Sequence, residues 1–200
     1  MARDAYHFII PLAFLILVCL LAGWIWSGTI LVLLAGFVVY FFRDPQRSIP
    51  IDERAIVSPA DGRVVKLDPD GKYLVLSIFL SIFDVHINRA PIGGVITRQD
   101  YHPGEFKIAY DDEASAKNER VVMTIEDDRK LTFSLIAGMV ARRICLWKNE
   151  GERVSKGDRI GLIRFGSRVD VRLPRECELV VGRGDRVYAG ATVIAYWGKE

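Results

Sequence analysis

From Phe8 to Phe42 the chain carries no Lys, Arg, Asp or Glu, and this charge-free block of 35 residues limits what the N-terminal part can be. Wound as one helix it would be roughly 50 Å long at 1.5 Å per residue, against roughly 30 Å of bilayer hydrocarbon, so it must tilt or break. Trp26-Ser27-Gly28 is the expected break, leaving 19 residues from Phe8 to Trp26, enough to span, and 14 from Thr29 to Phe42. The second stretch reads as either a tilted span or a re-entrant helix. Trp24 and Trp26 suit an interface at the turn, and Tyr40, Phe41 and Phe42 suit one at the exit. Arg3 precedes the block and Arg43, Arg47 and Arg54 follow it, so the positive-inside rule puts both ends, and whatever follows residue 42, on the cytoplasmic side of the cell membrane. A cleaved signal peptide is the rival reading; it lacks a small-x-small cleavage site followed by a polar terminus.

Of the 27 basic and 25 acidic side chains, all but Arg3 and Asp4 lie beyond residue 42. The expected organisation is therefore an anchor over 1–42 and one domain over 43–200, long enough for a real core. Half the residues are hydrophobic, which excludes intrinsic disorder, and a single apolar block excludes a many-pass transporter. A net charge of +2 disfavours a nucleic-acid partner. Cys19, Cys145 and Cys177 form neither a disulfide framework nor a metal-ligand spacing.

Beyond Arg43, prolines and glycines punctuate short β-branched and aromatic runs, which predicts a mainly β domain. Strands are expected at Gly62 to Leu67, Tyr73 to Ile78, Gly94 to Arg98, Arg120 to Glu126, Lys130 to Ala137, Ile144 to Leu146, Arg159 to Ile163, Val169 to Leu173, Glu178 to Val181 and Thr192 to Tyr196. Asp111 to Asn118 is the one helical stretch. Gly151-Glu152-Arg153-Val154-Ser155-Lys156-Gly157 and Gly184-Asp185-Arg186-Val187-Tyr188-Ala189-Gly190 repeat at an offset of 33 residues, each leading into a strand. Two such hammerheads are the punctuation of a barrel-sandwich, as in lipoyl or biotinyl carriers. The carrier lysine is missing between the copies, where Phe165-Gly166-Ser167-Arg168 stands instead.

Of the three histidines, His7 lies at the edge of the apolar block. His86 lies in Phe83-Asp84-Val85-His86-Ile87-Asn88-Arg89, where strand alternation would put Asp84, His86 and Asn88 on one face. Such a face is either a hydrogen-bonded structural cluster or a general acid/base held by polar neighbours. A zinc site from Asp84, His86 and His102 matches no strong metal spacing, and no metal is expected. Ser58-Pro59-Ala60-Asp61-Gly62 alone reads as a turn, and Phe165-Gly166-Ser167 alone as the end of a strand.

Taken in order, FFRDPQRSIP (41–50), VSPADGRVV (57–65), FDVHINRAPIGG (83–94), YHPGEFKIAY (101–110), NER (118–120), IAGMVARRI (136–144) and GERVSKGDRIGLIRFGSRVDVRLP (151–174) resemble the short form of phosphatidylserine decarboxylase over roughly residues 41–197. The resemblance implies a proenzyme that makes its own cofactor. Ser167 attacks the carbonyl of Gly166, the peptide becomes an ester, and elimination splits the chain into a β chain, 1–166, and an α chain, 167–200, headed by a covalent pyruvoyl group. A glycine before the serine tolerates a strained backbone and admits the hydroxyl to the carbonyl carbon. The resemblance also makes Ser167, His86 and Asp61 the catalytic set, His86 being the base oriented by Asp61. The pyruvoyl carbonyl would condense with the amine of phosphatidylserine and act as the electron sink for loss of carbon dioxide, giving phosphatidylethanolamine.

Longer bacterial members have a second histidine where this chain has Phe83, so His86 serves as proton donor too, or a water or another polar group does. Arg89, with Asp84 and Asn88, is the expected substrate contact, because a guanidinium suits both phosphate and carboxylate. Arg43, Arg47 and Arg54 either hold the domain against anionic lipid or simply end the helix. Partners expected are the membrane, the phospholipid substrate and the two cleaved chains with each other; a homo-oligomer is left open. A non-enzymatic membrane-anchored adaptor and a metal-dependent hydrolase are the competing classes, and neither uses Asp61, His86 and the Gly-Ser pair as a set.

Overall fold

The structure, a computed structural model, describes residues 1–104, 118–138, 144–164 and 167–198. It divides into two compact units, Met1–Gln46 and Arg47–Glu200. The first is a helical hairpin of α1 (Tyr6–Leu21) and α2 (Ile25–Phe41), preceded by a 3-10 turn, Arg3–Ala5. Its ends are fastened together: Ala2 N–H donates to Phe42 C=O at 2.9 Å and the Phe8 and Phe42 rings stack at 5.6 Å.

The turn falls at Ala22-Gly23-Trp24, and Trp26-Ser27-Gly28, the expected break, lies inside α2. Gly23 supplies the positive φ, +72°, that ends a helix. Trp24 N–H reaches back to Cys19 C=O at 2.8 Å and Gly23 N–H to Leu20 C=O at 3.2 Å, which satisfies carbonyls the helix end would leave bare. Gly28 serves packing instead, since a Cβ there would lie 3.6 Å from the Cβ of Cys19. Ile10, Phe14, Leu17, Leu21, Ile30 and Leu33 are exposed on this hairpin. With its 3-10 turn, Arg3–Leu21 is one helix of 19 residues, long and apolar enough to cross a membrane; Ile25–Phe41 is shorter.

The second unit is mainly β. Among the described residues its strands are β1 (Ala55–Val57), β2 (Gly62–Asp70), β3 (Tyr73–Leu80), β4 (Ile87–Arg89), β5 (Gly94–His102), β6 (Arg120–Glu126), β7 (Lys130–Ala137), β8 (Ile144–Leu146), β9 (Arg153–Val154), β10 (Arg159–Ile163), β11 (Ser167–Pro174), β12 (Glu178–Leu179), β13 (Arg186–Val187) and β14 (Val193–Tyr196). They form one eight-stranded sheet, β13-β2-β3-β11-β7-β6-β5-β9, and two three-stranded sheets, β1-β14-β12 and β4-β10-β8. The expected helix over Asp111 to Asn118 lies, but for Asn118, outside the described residues.

The large sheet owes its stability to strict alternation. Leu76, Ile78 and Leu80 of β3, Val169, Val171 and Leu173 of β11, and Leu131, Phe133 and Leu135 of β7 all join one buried cluster. Full burial of each such side chain contributes roughly 1.5–3 kcal/mol. On the opposite face of β11, Arg168 and Asp170 are also buried, paired at 2.6 Å, with Arg168 donating to Ser77 Oγ at 2.7 Å.

The repeat seen in the sequence is the visible end of a deeper duplication. The pairing is unchanged when β1-β2-β3-β11-β12-β13-β14 is exchanged for β4-β5-β6-β7-β8-β9-β10. Val171 of β11 faces Phe133 of β7 at the centre of exchange. Val57 N–H donates to Pro91 C=O and Arg89 N–H to Pro59 C=O, the same bond made in both directions. Register shifts recur at Val64/Lys66 and at Ile96/Arg98. Gly62 and Gly94 occupy matching close approaches, where a Cβ would lie 2.1 Å from Phe79 O and 2.6 Å from Glu126 O respectively. One difference sets the site apart. In one half β6 and β7 are joined by the short turn Asp127-Asp128-Arg129; in the other, the matching strands β3 and β11 are held apart in sequence by the whole of the first half. At this opened hairpin Ser167 pairs with Leu80, the residue before the turn that leads to His86.

Candidate active site

The two chain segments that meet at this opening are tied at both ends. Ser167, the first residue of β11, pairs with Leu80 at the end of β3 and with Ala137 of β7. Four residues earlier, Ile163 N–H donates to the carbonyl of His86 at 3.3 Å, and β10 pairs with β4 through Leu162 and Ile87. Ile163 and Ser167, four residues apart in sequence, are thus tied to the His86 carbonyl and to Leu80 respectively.

Ser167 is fully buried and its Oγ has no hydrogen-bond partner among the described residues. Leaving a buried hydroxyl unsatisfied costs about 1–3 kcal/mol, so the group needs a reason to be there. Phe165 and Gly166 lie outside the described residues. His86 is fully buried as well, with Nδ1 3.0 Å from the carbonyl oxygen of Asp84. A carbonyl only accepts, so Nδ1 carries the proton and Nε2 of the neutral ring carries the lone pair, the tautomer a base requires.

Residues 84–88 do not run as one alternating strand, contrary to the sequence expectation. Asp84 accepts from the N–H and Oγ of Ser81 at 2.9 and 2.7 Å, and its own N–H donates to Ser81 C=O at 2.9 Å. These bonds close a turn over Ser81–Asp84, so only Ile87–Arg89 enters a sheet. The turn thereby fixes the Asp84 backbone carbonyl that lies 3.0 Å from His86 Nδ1. The other carboxylate oxygen of Asp84 accepts from Arg186 at 2.5 Å.

Asp61 is buried and accepts from Arg47 Nη2 at 2.7 Å and from Ala189 N–H at 2.8 Å, so its two oxygens are directed at these groups rather than at His86. Burial pushes its pKa up, and the Ala189 N–H and the Arg47 guanidinium oppose that shift without cancelling it. Arg47, expected to face lipid or end a helix, is turned into the domain onto this carboxylate, and the Arg54 guanidinium lies over the Tyr196 ring. Asn88 is fully buried; its Nδ2 donates to Pro59 C=O at 3.4 Å and its Oδ1 has no partner among the described residues. Arg89 is buried too and donates to Gly157 C=O at 3.0 Å. His102 ends β5, paired with Arg120, in the large sheet, apart from the β4 sheet that His86 leads into. Among the described residues no three His, Cys, Asp or Glu side chains form a metal-sized group. Arg47, Arg186, Tyr188 and Ala189 were not read as site residues, although Arg47 lies in the first of the ordered motifs and the other three in the second copy of the repeat.

The family model described as phosphatidylserine decarboxylase matches residues 34–195. The chain belongs to the phosphatidylserine decarboxylase family. Membership places it among carboxy-lyases and bears out the resemblance that the ordered motifs carry. Its relatives include the phosphatidylserine decarboxylase proenzymes of Symbiobacterium thermophilum, 45% identical over 202 residues covering 96% of this chain and 94% of that one, and of Solibacter usitatus, 49% identical over 166 residues covering 82% and 81%. The proenzyme of Desulfotalea psychrophila is 40% identical over 202 residues, with 96% and 94% covered. The matched stretch contains Arg47, Asp61, Asp84, His86, Ser167, Arg186 and Ala189.

Proposed function

We propose that the chain is a self-processing proenzyme whose mature form decarboxylates phosphatidylserine to phosphatidylethanolamine. The single observation that carries the reading is Ser167: a buried serine whose Oγ has no partner among the described residues, paired with Leu80 at the head of the stretch that leads to His86, in a chain whose relatives are named as proenzymes. In maturation Ser167 Oγ attacks the carbonyl carbon of Gly166 while Nε2 of His86 takes the hydroxyl proton. The Gly166–Ser167 C–N bond breaks, the acyl group moves to oxygen as an ester, and the proton returns to the freed amine. Loss of the Cα proton then expels the Gly166 carboxylate, and water replaces ammonia to leave a pyruvoyl group at position 167.

A buried Oγ without a partner among the described residues fits a group that is to be converted rather than retained. When present, the pyruvoyl group supplies the electron sink for loss of carbon dioxide. Around it, Asp84 holds the imidazole in one tautomer, His86 delivers the proton that replaces carbon dioxide, and the covered sheet end keeps bulk water from competing for that proton. Phe83, exposed beside this turn, has no proton to give, which leaves the task to His86. Asp61 acts through Arg47 and the Ala189 backbone, framing the pocket rather than touching His86. Arg89 and Asn88 hold the Pro59 and Gly157 turns against each other, so their effect on the substrate is indirect.

The fold is read as a barrel-sandwich-like domain built from the two halves. The apolar hairpin anchors it in the cell membrane with the domain on the cytoplasmic side, which confines the enzyme to the surface where its substrate lies. The two cleaved chains remain associated, since Ser167 to Pro174 sits between β3 and β7. The test is to give the full chain, in detergent, phosphatidylserine labelled in the serine carboxyl. Equal amounts of labelled carbon dioxide and phosphatidylethanolamine are expected, with none from Ser167→Ala. A chain that stays intact and releases nothing would instead fit a membrane-anchored adaptor.

A further inference from the structure

Two arginines stand at the rim of this site, and each has contacts to spare. Arg47 and Arg186 each give one Nη2 to a carboxylate, Asp61 at 2.7 Å and Asp84 at 2.5 Å. Their guanidinium carbons lie 5.5 and 6.0 Å from the centre of the same ring, Tyr188. A guanidinium has five N–H donors in a planar fork, so among the described residues most of each fork is uncommitted. The Arg186 side chain is 50% exposed and Tyr188 is 42% exposed, so these two face outward, while Arg47, with 14% of its side chain exposed, is the more shielded of the two arginines. An ion pair this exposed contributes little to stability, and Asp84 already has Ser81 on its other oxygen.

The duplication supplies a built-in comparison. In the other half Arg153 matches Arg186 and pairs with Asp127 at 3.4 Å, but the register aligns Asp127 with Leu80 and not with Asp84, so the Arg186–Asp84 contact has no counterpart there. Ser155 stands there in the place of Tyr188 and Gly93 in the place of Asp61, so that half has neither the ring nor the carboxylate that holds a second arginine. The aromatic ring and the paired guanidinium belong to the half that holds Ser167 and His86.

The geometry points to Arg186 and Arg47, spaced by Tyr188, as the seat of the substrate's phosphodiester; the inference rests on the decarboxylase reading above. Paired guanidinium forks match a phosphate monoanion bidentately. Seating the phosphate at the rim leaves the amine and carboxylate of the headgroup to reach inward toward position 167. It also assigns the anion to residues other than Arg89, whose guanidinium is buried against Gly157.

The test compares matured wild type with Arg186→Gln on two substrates: phosphatidylserine in mixed micelles, and O-octylserine, which offers the same amine and carboxylate without phosphate. For phosphatidylserine the variant's KM should rise about tenfold, equivalent to about 1.4 kcal/mol, with kcat kept. For O-octylserine the two proteins should have the same kcat/KM. Arg186→Lys, which keeps the charge and loses the fork, should give an intermediate KM and serves if the Gln variant does not mature. An unchanged KM for phosphatidylserine, or an equal loss on both substrates, overturns the phosphate seat. A wild-type chain that splits yet decarboxylates neither substrate overturns the underlying reading instead.

Discussion

Replacing Arg47 by Met keeps most of the aliphatic stem and removes the charge that sits 2.7 Å from Asp61. The pair is well shielded, with 14% of the arginine side chain and 6% of the aspartate side chain exposed. Breaking a buried pair from one side strands the other charge, at a cost of about 3 kcal/mol. In a chain of this size that corresponds to a fall in Tm of roughly 6–12 °C. The assay is thermal unfolding of the full chain in detergent, in a Ser167→Ala background so that one covalent species melts. In an Asp61→Asn background the same Arg47→Met change should cost no more than about 1 kcal/mol, the worth of one neutral hydrogen bond. The pH dependence carries a definite sign. Burial raises the Asp61 pKa above its usual 3.8, and losing Arg47 raises it further. The folded variant then binds a proton more tightly than the unfolded chain, so its stability is fullest below the unfolded value and falls as pH rises through the folded one. The deficit against wild type should therefore be widest at neutral pH and narrow on acidification. Equal falls in Tm with and without the Asp61→Asn change, or a deficit indifferent to pH, would refute this account of the pair.

Other consequences are local. Gly62→Ala places a Cβ 2.1 Å from the Phe79 carbonyl oxygen, a backbone atom that cannot swing aside, so loss of more than about 4 kcal/mol and recovery only as insoluble protein are expected; soluble, matured protein would contradict it. Gly23→Ala meets no neighbour but strains a residue at φ +72°, and should lower hairpin stability by about 1 kcal/mol, read as faster hydrogen exchange at Trp24 with no change in decarboxylation. His86→Gln should stop self-cleavage while leaving the fold's Tm within a few degrees, checked by gel and melting curve together.

Much of the β domain was legible because long strands announce themselves. Arg120 to Glu126 and Lys130 to Ala137 alternate over enough residues to fix both their ends, and the structure has them at those bounds. The strands Ala55–Val57, Arg153–Val154 and Arg186–Val187 escaped because two or three residues show no period. The hairpin turn was misplaced for a subtler reason: Gly23 and Gly28 look alike in sequence, and only one adopts the left-handed conformation. The turn at Asp84 was read as strand because a carboxylate that caps a backbone N–H is not distinguishable by spacing from one on a strand face. Ser167, His86 and Asp61 are proposed as the catalytic set on the ordered motifs, whereas Arg186 and Tyr188 are placed by the register of β13 on β2, which no motif announces. The full extent of the duplication was hidden too, since it resides in pairing and in matched glycines rather than in repeated side chains.

The central claim is that Ser167 is consumed to make the working group, and intact mass of the purified full chain under denaturing conditions tests it most directly. Two species are expected, ending at Gly166 and beginning at position 167 with a terminus that has no amine, and Ser167→Ala should give a single uncut chain. A wild-type protein that decarboxylates phosphatidylserine while remaining one uncut chain would contradict it.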